Sequence, residues 1–413
     1  MVQAIVNGRL VLSNKILDGC ALLFDKKIIG IVSRETLDAA WENEKAWKGE
    51  PLALTDAQGA YVSPGFLNLH IHGCAGADTM DAKEDTLSVM SEFLAKTGVT
   101  AFLPTTMTCD LPAVYKALTR IRESMTVMAR RREEKSGLQK EDANRLPGAK
   151  VLGAYLEGPF ISSAYKGAQK EEYIAAADFE LIRDFADVIK VAVLAPETLA
   201  REQMENFVAQ CRAHKIVVSL GHSAAGYEEA LQAIETGASH VTHVCNAMTG
   251  LHHRSPGLVG AALDSGVTCE LIADNLHVHP AVQRLLYRSK GAAELELITD
   301  SMRACGLPDG VSELGGQTVL VKDGAARLAG GTLAGSVVTM DRVLANFRKN
   351  TGASVPEVVR MVTENQAQEL GLFEKIGSLS PGAAADLAIF NEDFTICRTF
   401  VDGREVYRNP DFR

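Results

Sequence analysis

Residues 189–223 run IKVAVLAPETLAREQMENFVAQCRAHKIVVSLGHS, and this stretch contains the pattern that decides the fold. Two short apolar runs, IKVAVLAPE and KIVVSLGHS, are separated by LAREQMENFVAQCRAH, in which apolar residues recur at helical spacing. A strand, an amphipathic helix and a second strand in this order predict a βαβ unit with parallel strands.

The same cycle extends along the chain in both directions. Amphipathic stretches such as DFELIRDFADV (178–188) and GYEEALQAIETGA (226–238) alternate with eight apolar runs. The runs are GFLNLHIHG (65–73), VTAFLPTT (99–106), KVLGAYLEGP (150–159), IKVAVLAPE (189–197), KIVVSLGHS (215–223), HVTHVCNAM (240–248), CELIADNLH (269–277) and LELITDSM (295–302). Eight βα units predict an α/β fold of the (β/α)8, or TIM-barrel, type.

Shorter runs broken by glycine and Asn-Gly turns flank this region, at 4–13, 19–33 and 53–65 before it and at 377–410 after it. Short apolar runs separated by turn residues indicate β-strands, and they favour a small antiparallel sheet for the first segments. We predict that residues 1–62 and 375–413 form a small β-sandwich domain and that 63–374 form the barrel. The charged segment 121–145 is interpreted as a solvated helix extension and loop.

The composition describes a globular protein with a large core. Of 413 residues, 46% are hydrophobic and 23% are charged. The formal charge of −10 argues against a nucleic-acid or anionic-membrane partner. The eight cysteines form no CxxC pair, the segment MVQAIVNGRLVLSNK has no secretory pattern, and no apolar run reaches the ~18 residues of a membrane span. These features predict a cytoplasmic protein with reduced thiols.

All ten histidines lie between His70 and His279, and several of them end predicted strands. Side chains at the C-terminal ends of barrel strands line the mouth where chemistry is done. His70 and His72 are two positions apart on an extended strand, so both imidazoles project from one face. Residues of types that suit Zn or Fe(II) end three further strands. The predicted metal ligands are His70, His72, Glu157, His222 and His243.

Asp300 ends the eighth run, LELITD, among apolar neighbours. One interpretation makes it the N-cap of the segment that follows. A carboxylate beside a metal-activated water can also take the proton of that water and return it to the leaving group. Because the predicted metal ligands end neighbouring strands, we interpret Asp300 as the catalytic general base and acid.

Eight motifs together resemble a known family. They are HxH (70–72), LEGPF (156–160), GHS (221–223), THVCNAM (242–248), ADNLHVHP (273–280), ITDSM (298–302), GGTLAGSVVTM (330–340) and GSLSPGAAADLAIF (377–390). They are similar to the N-acetylglucosamine-6-phosphate deacetylases of the amidohydrolase superfamily. HxH with a strand-eight aspartate marks the superfamily, whereas LEGPF, HVCNAMTGLHHRSPGLVGA (243–261) and IADNLHVH (272–279) are specific to the deacetylases. The resemblance covers essentially the whole chain.

The resemblance implies a divalent metal as cofactor, which is Zn, Fe(II), Mn or Co. Glu157, His222 and His243 match the residues that hold the main catalytic ion. His70 and His72 match family members with a second ion, so one or two ions per subunit are expected. Glu157 would then bridge the two ions.

For the sugar phosphate, the resemblance implies contacts from the backbone near Asn246 and Ala247, from His277, and from an arginine of the neighbouring subunit of a homodimer. Arg254 stands at the matching position, and a guanidinium offers paired donors to a phosphate. An exposed loop arginine is the plainer alternative. Where several members carry a histidine that contacts the acetamide carbonyl, this chain has Gln169, which can donate a hydrogen bond but cannot carry an imidazolium charge.

The expected activity is hydrolysis of the acetamide of N-acetylglucosamine 6-phosphate to glucosamine 6-phosphate and acetate, in amino-sugar metabolism, by a metal-bound water with Asp300 as base and then acid. Two alternatives stay open. One is another amidohydrolase activity, such as an N-acetylgalactosamine-6-phosphate deacetylase or a cyclic-amide hydrolase. The other is a non-catalytic sugar-phosphate binding protein, against which the retention of Asp300 argues. The chain has no Walker A loop, GxSxG elbow or HExxH motif.

Overall fold

The computed structural model describes residues 1–133 and 148–412, and a barrel of eight parallel strands forms its centre. The strands are Phe66–Ile71, Val99–Thr106, Lys150–Val151 with Ala154–Leu156, Ile189–Leu194, Val217–Leu220, His240–Val241, Thr268–Ile272 and Leu295–Ile298. A bridge between Ile71 and Ser301 and a 2.9 Å hydrogen bond from the Asp300 N–H to the His70 carbonyl join the last strand to the first. The predicted (β/α)8 fold is confirmed.

Helices cover the outside of the barrel. They are Thr86–Ala95, Leu111–Glu133, Arg201–Ala213, Tyr227–Thr236, Gly257–Asp264, Pro280–Lys290 and Met340–Thr351, followed by Val355–Arg360 and Glu364–Glu369. None of the helices in the described ranges is long and apolar enough to cross a membrane. The predicted charged extension at 121–145 begins within the helix Leu111–Glu133, and its residues 134–145 lie outside the described part of the chain.

The α-helix predicted at 178–188 is wrong. Two 3-10 turns, Phe179–Leu181 and Arg183–Phe185, take its place. Side chains of the preceding barrel helix occupy carbonyls that an α-helix would use: Tyr115 donates to the Leu181 carbonyl at 2.8 Å and Arg122 to the Asp184 carbonyl at 2.6 Å. Tertiary hydrogen bonds therefore override the periodicity of this segment.

Two further sheets pack face to face as a β-sandwich. The first, in spatial order, contains Ile28–Ser33, Cys20–Phe24, Val2–Val6, Glu50–Asp56 and Ala46–Trp47, and the helix Arg34–Glu44 packs on its outer face. The second contains Arg404–Arg408, Ile396–Val401, Leu387–Phe390, Tyr61–Pro64, Arg9–Val11 and Ile16–Leu17. One apolar cluster that includes Leu22, Val62 and Phe400 lies between them.

The sandwich is not the purely antiparallel sheet that the first segments favour. Val2–Val6 pairs with Glu50–Asp56 in parallel, and Arg9–Val11 pairs with Tyr61–Pro64 in parallel. The reason is that each pair is joined by a long excursion of the chain rather than by a hairpin, so the second strand returns in the same direction. The domain bounds 1–62, 63–374 and 375–413 stay a prediction.

A partly buried ion pair joins the barrel to this sandwich. Lys150 begins the third barrel strand, and its ammonium group lies 2.8 Å from Asp386. Asp386 directly precedes the strand Leu387–Phe390. It also contacts Asp402. Asp386 is 3% exposed, so this contact replaces water at the junction.

Smaller elements complete the fold. A three-stranded antiparallel sheet, which the sequence analysis did not predict, follows the last barrel strand at Gly310–Leu314, Gln317–Lys322 and Ala325–Leu328. The remaining elements are the strand pair Gly73–Cys74 and Ala77–Asp78 and the 3-10 turns Thr79–Asp81, Ser163–Tyr165, Glu171–Tyr173 and Pro196–Thr198. All eight cysteines lie in the described ranges and are free.

Candidate metal centre and substrate cavity

Three barrel strands are followed by residues with a left-handed backbone. His222, His243 and Asp300 have φ values of 48°, 27° and 45°. Residues other than glycine rarely adopt this conformation, and those that do cluster at functional sites. The ends of strands five, six and eight therefore have the backbone character of an active site.

Glu157, which follows strand three, is the centre of a cluster of imidazoles. Its Oε1 lies 3.0 Å from Nε2 of both His222 and His243, and 3.4 Å from Nε2 of His70. Its Oε2 lies 3.1 Å from Nε2 of His72. One carboxylate oxygen thus faces three histidines and the other faces the fourth.

Asp300 is a second carboxylate beside the HxH pair. Its Oδ1 is 3.2 Å from Nε2 of His72 and 3.6 Å from Nε2 of His70. His70 Nε2 and Asp300 Oδ1 are both buried and have no hydrogen-bond partner. Buried polar atoms are normally paired, so these two atoms indicate a ligand between them.

The charges of the cluster favour a cation in its midst. Burial lowers the pKa of His72, but the nearby carboxylates of Asp300 and Glu157 outweigh that effect and raise this pKa to about 10. Burial likewise raises the pKa of Glu157, whereas the charges of His222 and His70 hold it well below its usual range. Glu157 and Asp300 are both buried, and buried carboxylates that keep their charge need positive charge beside them. Either protonated imidazoles or a metal ion supplies this charge.

The donor set fits a divalent metal. Two groups of ligand atoms, each within 4.8 Å of one another, are present in the described residues: His70, His72 and Glu157, and Glu157, His222 and His243. Imidazole nitrogen with carboxylate oxygen suits Zn and Fe(II). Glu157 belongs to both groups, as a bridging ligand does.

Gln169 contacts Glu157. Its Nε2 donates to Glu157 Oε2 at 2.7 Å, and its Oε1 accepts from the Thr108 N–H at 2.7 Å. The side chain is buried and lines the cavity above the cluster. One N–H of the amide remains for a substrate atom, and the predicted contact with the acetamide stays a prediction.

A cavity of about 390 Å³ opens above the cluster. Glu157, Gln169 and Asp300 line one part of it. Asn246, Ala247 and His277, the predicted sugar-phosphate contacts, also line it. A volume of this size suits a small organic molecule.

His277 is held by Asp274. Asp274 Oδ2 lies 2.7 Å from His277 Nδ1, and Asp274 Oδ1 accepts the backbone N–H of Leu276 and of His277, each at 2.8 Å. Burial lowers the pKa of His277, but the Asp274 hydrogen bond and charge raise it overall. The imidazolium form therefore persists above the usual pH range of histidine.

Arg254 does not line the cavity of its own chain. It lies exposed in the loop after strand six, where its backbone N–H donates to His252 Nδ1 at 3.3 Å. Arg327, on the three-stranded sheet, does line the cavity, and it is the one lysine or arginine among the described lining residues. Sequence reasoning missed Arg327 because it missed this sheet.

Two other carboxylates of the barrel, Glu197 and Glu270, make hydrogen bonds near the candidate ligands. Glu197 accepts hydrogen bonds from the Ser223 hydroxyl at 2.7 Å and from the Ala224 N–H at 2.5 Å, which is a structural role. Glu270, in the middle of strand seven, was not considered. It contacts His70 Nδ1 at 2.9 Å and is fully buried. A charged residue inside an otherwise apolar barrel strand is the signal that would have found it.

Comparison with known proteins agrees with this geometry. The amidohydrolase family model matches residues 61–406. An N-acetylglucosamine-6-phosphate deacetylase of Bacillus subtilis is 42% identical over 81% of this chain and 83% of that protein. An N-acetylgalactosamine-6-phosphate deacetylase of Escherichia coli O157:H7 is 36% identical over 86% of this chain and 90% of its own.

Solved structures give the same result. The crystal structure of an N-acetylglucosamine-6-phosphate deacetylase from Pasteurella multocida superposes with a TM-score of 0.86 at 33% identity, and the match covers 99% of this chain and 100% of that one. The resemblance drawn from the sequence motifs is confirmed. The chain belongs to the amidohydrolase family.

Proposed function

We propose that this protein removes the acetyl group from N-acetylglucosamine 6-phosphate and releases glucosamine 6-phosphate and acetate. The observation that carries the proposal is the position of Asp300, whose Oδ1 lies 3.2 Å from His72 within a cluster of metal-type ligands at the floor of a cavity. The activity named for relatives at 32–42% identity supports the choice of reaction and substrate class.

Glu157, His222 and His243 would hold the main ion, and His70 and His72 with Glu157 would hold a second. Zn, Fe(II), Mn and Co are the candidate metals for this donor set. A divalent ion held there supplies Lewis acidity, which favours deprotonation of the attacking water and offsets the negative charge that develops on the acetamide oxygen.

Asp300 moves the proton. Its carboxylate accepts a proton from the water as the oxygen bonds to the acetamide carbon. The protonated Asp300 then donates this proton to the amide nitrogen, the C–N bond breaks, and the amine and acetate leave. Burial raises the pKa of Asp300, but the charges of His70 and His72 lower it overall, so the group is ionised and can accept a proton.

Gln169 and His277 line the same cavity and complete the site. The second N–H of the Gln169 amide would donate to the acetamide oxygen, where negative charge develops. The His277 imidazolium would donate to the substrate, and the backbone at Asn246 and Ala247 would complete the contacts with the sugar phosphate.

The phosphate needs positive charge in an acidic protein. Arg327 is the permanently charged cation on the described cavity wall, and it acts electrostatically on His277. We propose that Arg254 adds a second guanidinium from the neighbouring subunit of a homodimer, because it is exposed and does not line the cavity of its own chain.

A matrix of metals and substrates tests the proposal. The metal content of the purified protein is measured, and deacetylation is then followed after reconstitution with Zn, Fe(II), Mn or Co. The panel contains N-acetylglucosamine and N-acetylgalactosamine, each with and without a 6-phosphate. We expect turnover of the phosphorylated gluco sugar, and equal rates on the unphosphorylated sugar would overturn the phosphate pocket.

The galacto epimer is the second candidate substrate, because one relative at 36% identity is named for that activity. The same panel decides between them. A higher kcat/KM for the galacto sugar phosphate would replace the proposed substrate and leave the metal chemistry unchanged.

A further inference from the structure

Glu270 is a carboxylate that contacts residues of the candidate metal centre without being one of the proposed ligands. It lies in the middle of the strand Thr268–Ile272 and is fully buried. Its Oε2 lies 2.9 Å from His70 Nδ1 and also accepts the backbone N–H of His243 at 3.1 Å. One carboxylate oxygen therefore contacts a residue from each of the two candidate ligand groups.

This contact decides which nitrogen of His70 is free. An ionised carboxylate only accepts hydrogen bonds, so the Nδ1 of His70 must carry a hydrogen to pair with it. In the neutral ring, which is the form that binds a metal, Nε2 is then the lone-pair nitrogen. It is the atom that lies 3.4 Å from Glu157 and 3.6 Å from Asp300 without a hydrogen-bond partner. Glu270 thus fixes the tautomer that a metal ligand requires.

The ring of His70 is also fixed in orientation. Tyr155 stacks on it with ring centroids 4.4 Å apart and an interplanar angle of 29°. The Tyr155 hydroxyl is held in turn by Thr242 at 2.9 Å. With a carboxylate at one edge and an aromatic ring on one face, the imidazole has little freedom to turn away from Glu157.

The other oxygen of Glu270 faces His240 rather than a candidate metal ligand. Its Oε1 makes no hydrogen bond, and the nearest ionisable nitrogen is His240 Nε2 at 3.5 Å. His240 is itself flanked by Glu296 at 3.9 Å and Glu369 at 3.5 Å. The side-chain hydrogen bonds of Glu270 among the described residues are those to His70 Nδ1 and to the His243 N–H, one in each candidate ligand group.

We propose that Glu270 is a positioning residue that makes the second metal position stable: it holds the Nδ1 hydrogen of His70 and thereby directs Nε2 to the ion shared with His72 and Glu157. The inference rests on the proposed binuclear centre. It assigns to this strand-seven carboxylate the outer role in a carboxylate–histidine–metal arrangement.

The test measures metal binding rather than turnover. Full-length wild-type, Glu270→Gln and Glu270→Leu proteins are stripped of metal and titrated with Zn(II) and Co(II) against a chromophoric chelator. We expect two ions in the wild type. The second ion should bind about 10-fold more weakly in Glu270→Gln and up to ~100-fold more weakly in Glu270→Leu, because glutamine keeps an acceptor for His70 and leucine does not.

Glu296→Gln is the matched control. Glu296 is equally buried in the neighbouring strand, and its closest ionisable neighbour is His240 rather than a candidate ligand. Both ions should bind Glu296→Gln as they bind the wild type. Circular dichroism and the melting temperature confirm that each variant is folded.

Two results would overturn the inference in different ways. If the wild type binds two ions and Glu270→Gln binds both with unchanged affinity, Glu270 is not a positioning residue although the proposed function stands. If the wild type binds one ion at every metal concentration, the binuclear centre fails and the inference fails with it.

A measurement on the unmodified chain tests the proposal without a Glu270 variant. In zinc-loaded protein with 15N-labelled histidine, NMR should show the hydrogen of His70 on Nδ1, with assignment by a His70→Gln chain. A hydrogen on Nε2 would contradict the proposal.

Discussion

Gln169 donates a 2.7 Å hydrogen bond to Glu157, and through its other amide atom it accepts from the Thr108 N–H at the same distance. The side chain therefore connects the segment after the second barrel strand to the carboxylate that faces all four candidate histidines. Gln169 is predicted to contact the substrate, and these hydrogen bonds give it a second role, which is to fix the orientation of Glu157.

The first prediction concerns this connection. Gln169→Ala should weaken metal binding about 10-fold, because Glu157 loses its partner, and should lower kcat further through the missing contact with the acetamide. Metal titration and steady-state kinetics measure the two effects separately. Gln210→Ala on the helix Arg201–Ala213 is the control and should leave both unchanged. Unaltered metal affinity in Gln169→Ala would rule out the orienting role.

Asp300→Asn should lower kcat about 10²- to 10⁴-fold while substrate still binds, because an amide cannot take the proton of water. The loss of kcat is measured from the rate of product formation, and substrate binding is measured by isothermal titration calorimetry. Asp18→Asn, at an exposed position, should have wild-type kinetics. Unchanged turnover in Asp300→Asn would show that the proposed mechanism is wrong.

The charge of His277 predicts a pH dependence. The hydrogen bond and charge of Asp274, and the charge of Asp300, raise its pKa above 6.5, against burial and the charge of Arg327. The imidazolium is fully present below the ordinary histidine pKa and is lost only as the pH rises through the raised value. KM for the phosphorylated substrate should therefore be low at neutral pH and rise in alkaline solution. A His277→Asn chain should lack this rise, and a rise that persists would assign it to another group.

The two arginines can be distinguished by mixing chains. If Arg254 reaches the neighbouring site, inactive Arg254→Ala and Asp300→Asn chains should recover about a quarter of wild-type activity when randomly mixed, since half of the dimers then contain one complete site. Arg327→Ala mixed with Asp300→Asn should recover none, because Arg327 serves its own cavity. Absence of recovery with Arg254→Ala would place that residue in its own subunit or outside any site.

The Lys150 ion pair predicts a stability effect away from the site. Lys150→Met should lower the free energy of unfolding by about 3–5 kcal/mol, because Asp386 is left as a buried, unpaired charge. Urea denaturation measures the change. A Lys150→Met/Asp386→Asn double variant should regain part of the loss, and a double variant less stable than the single one would contradict this account.

The sequence predicts the barrel well because its strands are apolar runs with regular helical intervals, a signal that is local. The helix predicted at 178–188 failed for a reason that is not local, since Tyr115 and Arg122 lie far away in sequence and take its carbonyls. The histidines at the strand ends were predictable because their position directly after an apolar run is also a local signal. Glu270 was not, because its partner His70 lies 200 positions away and only the closed barrel brings the two together.

The six-stranded sheet also has a consequence for how the protein is made. Tyr61–Pro64 pairs with Arg9–Val11 on one side and with Leu387–Phe390 on the other. Because a ribosome delivers residues in order, this strand waits with an open edge while the entire barrel is synthesised. A product that stops before residue 387 therefore displays an unpaired β-edge, which is a signal for aggregation or degradation. The strand Leu387–Phe390 therefore covers the edge of Tyr61–Pro64 only after the barrel has been synthesised.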